Sequence, residues 1–338
     1  MIRILIVDPS PALRAQLAHI IAGDPELQVV GEARDGQEAL AFTRERRPNL
    51  ILMSADLPRM DGFEATRSIM TEAPTPIVIL SEDLDVHQVE LSMHALRAGA
   101  VSVHQRPNSE NSGLDLVRTV KAMAQVKLVR RWPDRPRPLA PASGRGPPQR
   151  RVVAIGASTG GPAAVQQILS SLPGQFPLPI LLVQHIAVGF LSGFVNWLNT
   201  ESSLKVKIAE HGESLVPRTV YVARDDRHLG IDNRSTIAIS AAPPIGGFRP
   251  SATFLFESVT KNFGASAINV ILTGMGQDGL KGLQAARASG GYVLAQDEES
   301  SVVFGMPGSV VNAGIASAVL PLSRIAAHLV ELVEGQSE

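Results

Sequence analysis

The stretch RVVAIGASTGGPAAVQQIL, residues 151–169, decides how this chain is read. An apolar β-branched run, Val152 to Ile155, ends in a glycine-rich turn, and a helical pattern opens at Pro162, where the first helical turn tolerates proline. Strand, turn and helix in that order form the repeating unit of a parallel sheet, because parallel strands need a crossover between them. The rhythm continues in apolar runs at Ile180 to Val183, Val220 to Ala223, Asn269 to Thr273, Tyr292 to Ala295 and Ala318 to Leu320. Helical stretches fall at Pro162 to Ser171, Thr253 to Phe263, Gly279 to Ala288 and Ser323 to Glu334. In the last of these, Ile325, Leu329, Leu332 and Val333 recur at helical spacing and are expected in the core.

Upstream, residues 1–126 show the same alternation, with runs at Ile2 to Val7, Val29 to Ala33, Leu50 to Ser54, Ile77 to Ser81 and Val101 to Gln105, and helical patterns such as Gly36 to Arg47. The expected fold class is α/β, with two doubly wound parallel-sheet domains at residues 1–126 and 151–338. Between them, residues 127–150 include RRWPDRPRPLAPASGRGPPQR, whose prolines disrupt both helix and central strand. That segment reads as an extended linker: a solvated spacer, or a docking segment that uses its arginines.

Composition narrows the class. At 338 residues, 44% hydrophobic and 19% charged, the chain can bury enough apolar surface to form two globular units. A formal net charge of -1 gives no global attraction to nucleic acid or an anionic membrane. Without cysteine there are no disulfides, thiolate metal sites or cysteine nucleophiles. No apolar run reaches membrane-spanning length, and MIRILIVDPS is too soon interrupted for a signal peptide, so a cytoplasmic protein without membrane insertion is expected.

Three strand ends carry candidate chemistry. Gly156, Ser158 and Gly160 form G-x-S-x-G, a turn that can project a serine hydroxyl from a strand end. Ser158 as a helix cap and the turn as a phosphate loop are alternatives. The phosphate loop lacks the Walker lysine, and the dinucleotide glycine spacing is absent. His185 directly follows the run PILLVQ and is the candidate base, since a serine needs one. His211 and His228 stand in polar surroundings and read as surface imidazoles, and His328 as a face position on the closing helix. In NVILTGMGQDGLKGLQAA, Asp278 precedes a helix, where it can cap that helix, orient an imidazole, or do both. Parallel sheets place their sites at such strand ends. The order Ser, His, Asp departs from that of the α/β-hydrolases.

Taken together, IGASTGG at 155–161, Gln184 with His185, RPS at 249–251, ILTGMGQDG at 271–279, AQDE at 295–298 and GMP at 305–307 resemble the catalytic domain of chemotaxis protein-glutamate methylesterases, the CheB family. Residues 1–126 resemble its response-regulator receiver, so the resemblance covers essentially the whole chain. It implies a flavodoxin-like receiver followed by a Rossmann-like methylesterase domain. It also implies hydrolysis of glutamate methyl esters on chemoreceptor cytoplasmic helices, deamidation of certain receptor glutamines, a histidine kinase as a further partner, and no cofactor. Ser158, His185 and Asp278 match the family's nucleophile, base and orienting acid, and Met275 and Thr159 match its oxyanion and active-site turn. Thr253 stands where the family often has Asp.

The receiver half departs further from the resemblance. Of the usual acidic pair after the first strand, only Asp8 remains, followed by Pro9. In NLILMSADLPRMDG, Ser54 takes the phosphoacceptor position, and Asp56 lies two residues on, about 6–7 Å away along an extended chain. Arg106 replaces the lysine before Pro107, while Ser81 keeps the expected hydroxyl. Magnesium needs an oxygen-rich shell that Asp8 alone does not supply. The expectation is a pseudo-receiver without aspartyl phosphorylation or metal. A non-catalytic signalling scaffold is the competing reading of the whole chain, opposed by the retention of all three triad residues. A nucleotide-binding module would need a phosphate-binding lysine or a ribose-binding acid that the sequence does not place.

Overall fold

A computed structural model describes residues 1–81, 96, 98–124, 151–232 and 236–334. The chain forms two units, Met1–Leu128 and Val129–Glu338. The stretch expected to be a linker lies outside the described residues.

In the first unit, β1 (Ile2–Val7), β2 (Leu27–Ala33), β3 (Leu50–Ser54), β4 (Ile77–Ser81) and β5 (Ser102–Gln105) form a parallel sheet in the order β2-β1-β3-β4-β5. Every residue of β3 and β4 is buried, which is why both read as unbroken apolar runs rather than alternating ones. The helices are α1 (Pro11–Ala22), α2 (Gly36–Arg46), α3 (Gly62–Glu72) and α4 (Glu110–Met123). Each starts where a side chain satisfies an orphan N–H: Ser10 accepts from Leu13, Asp35 from Glu38, Asp61 from Glu64 and Ser109 from Ser112. The strand order reverses between β1 and β3, so their carboxyl ends face a crevice, the usual place for a ligand in such sheets. Asp8 follows one of these strands and Ser54 ends the other.

The second unit runs β6 (Val152–Ala157), α5 (Gly161–Ser171), β7 (Ile180–Gln184), α6 (Leu191–Glu201), β8 (Lys205–Ile208), β9 (Thr219–Val222), β10 (His228–Ile231), β11 (Ile237–Ser240), α7 (Ala252–Phe263), β12 (Ala267–Ile271), α8 (Leu280–Ala288), β13 (Tyr292–Gln296), α9 (Met306–Asn312), β14 (Ala318–Leu320) and α10 (Leu322–Glu334). Seven of the strands make a parallel sheet, β14-β13-β12-β6-β7-β9-β8, while β10 and β11 pair as a separate antiparallel hairpin. The order reverses between β6 and β12, which makes their carboxyl ends the switch point.

On α10, Ile325 and Leu329 are fully buried, each worth about 1.5–3 kcal/mol relative to exposure. Leu332 and Val333, expected in the core, are only half-buried in its last turn. The sequence reading did not anticipate α6, whose Leu191, Phe194, Val195 and Leu198 nevertheless form a buried helical stripe. Nor did it anticipate β8, an edge strand whose KVKI pattern buries only Val206.

Candidate active site

The register of β6 with its neighbours sets the site. Ala157 pairs with Gln184 on β7, and Gly156 pairs with Ile271 on β12, so Ser158 and His185 leave adjacent strands at the same level. Backbone bonds continue past the strand ends, from His185 N to Ala157 O at 3.0 Å and from Ser158 N to Thr273 O at 3.0 Å. The turn after β12 approaches closely because position 274 is glycine: a Cβ there would stand 2.7 Å from Ser158 Cβ and 2.4 Å from Met306 Sδ. Helix α5 is capped by Gly160 without a side-chain bond, so the Ser158 hydroxyl is not used as a cap.

Gln184, 3% exposed, ties the two strand ends together. Its Nε2 donates to the carbonyls of Ser158 and His185, at 2.8 Å each. In Gln184→Leu both bonds are lost in a buried setting, so a destabilisation of about 1–3 kcal/mol is expected. Thermal denaturation of the full chain checks this, and an unchanged melting temperature would show that the tie carries no energy.

Asp278 does not cap its own helix, since Gly279 is the N-cap of α8 and no side chain makes the cap bond. Its carboxylate sits instead at the N-terminus of α7. Oδ1 accepts from Ser251 Oγ at 2.8 Å, Thr253 N at 3.1 Å and Gly279 N at 2.9 Å. Oδ2 accepts from Ala252 N at 2.7 Å and lies 3.0 Å from His185 Nε2. Burial opposes ionisation, but the hydrogen bond and charge of His185, with the Ser251 hydroxyl and Thr253 N–H, outweigh it and hold the carboxyl well below the usual carboxylate range. The positive end of the α7 dipole acts in the same direction.

Because an ionised carboxylate only accepts, His185 Nε2 carries the hydrogen, and in the neutral ring Nδ1 therefore keeps its lone pair. Nδ1 is buried and has no hydrogen-bond partner among the described residues. The imidazole stacks on Phe248, with centroids 4.2 Å apart and planes 4° from parallel.

Thr253, which stands where the family often has Asp, is buried, and its Oγ1 accepts from Gly279 N at 2.8 Å, bracing the Asp278 turn. His228 corrects the reading of a surface imidazole. It is fully buried because β10 packs under α7; Nδ1 accepts from Ser251 N at 3.2 Å, Nε2 reaches Pro243 O at 3.1 Å, and the ring stacks on Phe254. The signal was there in HLGI, a short apolar run that begins with this histidine. His211 is exposed, and His328 lies on α10 against Tyr292 and Glu331. Met275 is exposed on its turn, and Thr159 O accepts from Thr273 Oγ1 at 2.9 Å. The N–H groups of Met275 and Thr159 make no hydrogen bond among the described residues.

The crevice of the first unit is closed by its own side chains. Asp8 and Ser54 are fully buried, whereas Asp56 is exposed. Asp8 Oδ1 accepts from Ser10 N at 2.7 Å, and Oδ2 accepts both the Ser54 hydroxyl and an Arg106 N–H, the latter at 2.9 Å. The same guanidinium nitrogen reaches Ser54 Oγ at 3.0 Å. Burial pushes the Arg106 guanidinium down, and the charges of Asp8 and Asp56 oppose that shift. Ser81, on the next strand, is buried, and its carbonyl accepts from Arg106 N at 2.9 Å.

Comparisons with known proteins identify the family of the chain. The family model for CheB methylesterase matches residues 153–329, and that for the response regulator receiver domain matches residues 4–118. A protein-glutamate methylesterase/protein-glutamine glutaminase of Myxococcus xanthus is 50% identical, covering 99% of this chain and 98% of the relative. One from Syntrophus aciditrophicus is 46% identical, with 98% of each chain covered. The crystal structure of the Thermotoga maritima CheB methylesterase catalytic domain superposes with a TM-score of 0.54 at 41% identity, covering 55% of this chain and all (100%) of that one. With a family model over half its length and full-length relatives at such identity, the chain belongs to the CheB methylesterase family.

Proposed function

We propose that this chain hydrolyses glutamate methyl esters on the cytoplasmic helices of chemoreceptors, and deamidates receptor glutamines, by a Ser-His-Asp mechanism. The observation that carries the reading is that Ser158 and His185 leave adjacent strands at the same level, with His185 Nε2 3.0 Å from Asp278 Oδ2. Ser158 Oγ attacks the ester carbonyl and gives its proton to His185 Nδ1. Asp278 holds the imidazole in that tautomer and stabilises the imidazolium. The oxyanion is received by the N–H groups of Thr159 and Met275, the first being that of the residue after the nucleophile. His185 then protonates the departing methanol or ammonia, and water reverses the sequence to free the γ-carboxyl. His185 Nδ1 has no hydrogen-bond partner among the described residues, and catalytic bonds often tighten only in the complex. Methanol release from a methylated receptor by the full chain tests the reading. Release no faster than without the protein would overturn it.

The first domain acts as a pseudo-receiver in this reading, residues 1–126, joined through 127–150 to the catalytic domain at 151–338. Magnesium does not fit the residues described: among them Asp8 is the one buried acid between β1 and β3, and the Arg106 cation already occupies its Oδ2. Ser54 cannot form an acyl phosphate. Acetyl phosphate with Mg²⁺ is therefore expected to change neither the intact mass nor the esterase rate. A base-labile gain of one phosphoryl group, lost in Asp56→Asn and accompanied by faster hydrolysis, would show that Asp56 serves as a displaced acceptor.

A further inference from the structure

Among the described residues, the His185 imidazole has a single side-chain hydrogen bond, from Nε2 to Asp278. One bond fixes a point on a ring and leaves its plane free to turn about that point. The plane is set instead by Phe248, stacked at 4.2 Å and 4°. Phe248 arrives on a two-residue hairpin, Ile245-Gly246-Gly247-Phe248, closed by Ile245 N to Phe248 O at 3.1 Å and Phe248 N to Ile245 O at 3.0 Å. Gly246 and Gly247 have φ of 59° and 87°, the pair of positive values such a tight hairpin needs. The next residue anchors the hairpin to the body of the domain. Arg249 Nε donates to Asp226 at 2.7 Å, and its guanidinium reaches the carbonyls of Ala241 and Ala242 at 3.3 and 3.2 Å. The ring is thus delivered by a clamped turn.

We propose that Phe248 is a positioning residue for the general base: its ring sets the plane of the His185 imidazole and favours the imidazolium formed as Ser158 loses its proton. This rests on the triad reading above. The π-face of a phenyl ring attracts a cation within about 6 Å of its centroid. As the general base His185 gains a positive charge when it takes the serine proton, so the attraction is stronger in the transition state than in the ground state and acts on kcat.

The test uses the full chain with two substrates, a methylated receptor and p-nitrophenyl acetate, whose small ester makes no remote contacts. In Phe248→Ala and Phe248→Leu, kcat is expected to fall about 10- to 100-fold on both substrates with little change in KM, the scale of a misplaced catalytic group. Phe248→Tyr, which keeps the π-face, is expected to restore it, and matching melting temperatures show that the fold is kept. Three results would overturn the proposal: an unchanged kcat in Phe248→Ala, wild-type turnover in Phe248→Leu, or a rise in KM confined to the receptor, which would make Phe248 a docking contact. His185→Ala run alongside separates the two readings. If that variant stays active, the triad reading itself has failed; if it is inactive while Phe248→Ala is not, only the proposal for Phe248 has.

Discussion

Ser158→Ala is expected to lower methyl-ester turnover on the order of 10⁶-fold, the scale seen when a triad nucleophile is removed. The size follows from what remains. Without Oγ no acyl-enzyme forms, and water would have to attack directly, helped only by binding and by the oxyanion donors, which together leave a residual of about 10³–10⁴ over the uncatalysed reaction. The substitution is also clean structurally. Ser158 is held by its backbone, through its N–H to Thr273 and its carbonyl to Gly161 and Gln184, and its hydroxyl caps nothing, so Ala fits the same turn. Methanol release from methylated receptor, with thermal denaturation as the folding control, checks it. Wild-type rates in a folded Ser158→Ala protein would remove Ser158 from the mechanism.

Much of this site was legible in the sequence because a parallel sheet makes it so. Ser158 and His185 each directly follow a buried strand built on an apolar run, and the carboxyl ends of such strands share one edge. Strand pairing then does the rest, since Ala157 and Gln184 are partners. Asp278 was legible by type and place but ambiguous in role. A carboxylate before a helix looks like that helix's cap, and nothing in the local pattern says that it reaches the N-terminus of α7, 26 residues upstream in the case of Ala252 N. Thr253, His228 and Phe248 were hidden for a related reason. Each acts through a neighbour that is remote in sequence or through a ring face, and periodicity carries no record of either. In the first domain, Ser54, Pro9 and Arg106 could be read from the motif as departures from the resemblance, but the Asp8–Ser54–Arg106 network depends on contacts spanning 46 and 98 residues.

Asp278→Asn is expected to cost on the order of 10⁴ in turnover while leaving a folded protein, and the reason lies in the count of donors around the carboxylate. Five converge on it: Ser251 Oγ and the N–H groups of Thr253 and Gly279 on Oδ1, and Ala252 N with His185 Nε2 on Oδ2. An amide must turn its NH₂ toward one of these groups. Facing His185, it requires Nε2 to give up its hydrogen, which puts the proton on Nδ1 and leaves no lone pair for Ser158. Facing Ser251, it opposes the N–H groups of Thr253 and Gly279; Gly279 N keeps Thr253 Oγ1, whereas the buried Thr253 N–H is left unpaired at a cost of about 1–3 kcal/mol. Stability against pH distinguishes this from a loss of fold. The carboxyl is held below its ordinary range in the folded state, so its contribution is fully present above the unfolded value, about 3.9, and is lost as pH falls through the lower folded value. The stability gap between wild type and Asp278→Asn should therefore be constant around neutrality and narrow only in acid below that unfolded value. Denaturation of both proteins across that range, together with methanol release, checks the two halves of the argument. Near-wild-type turnover in Asp278→Asn would show that His185 does not depend on this carboxylate for its tautomer.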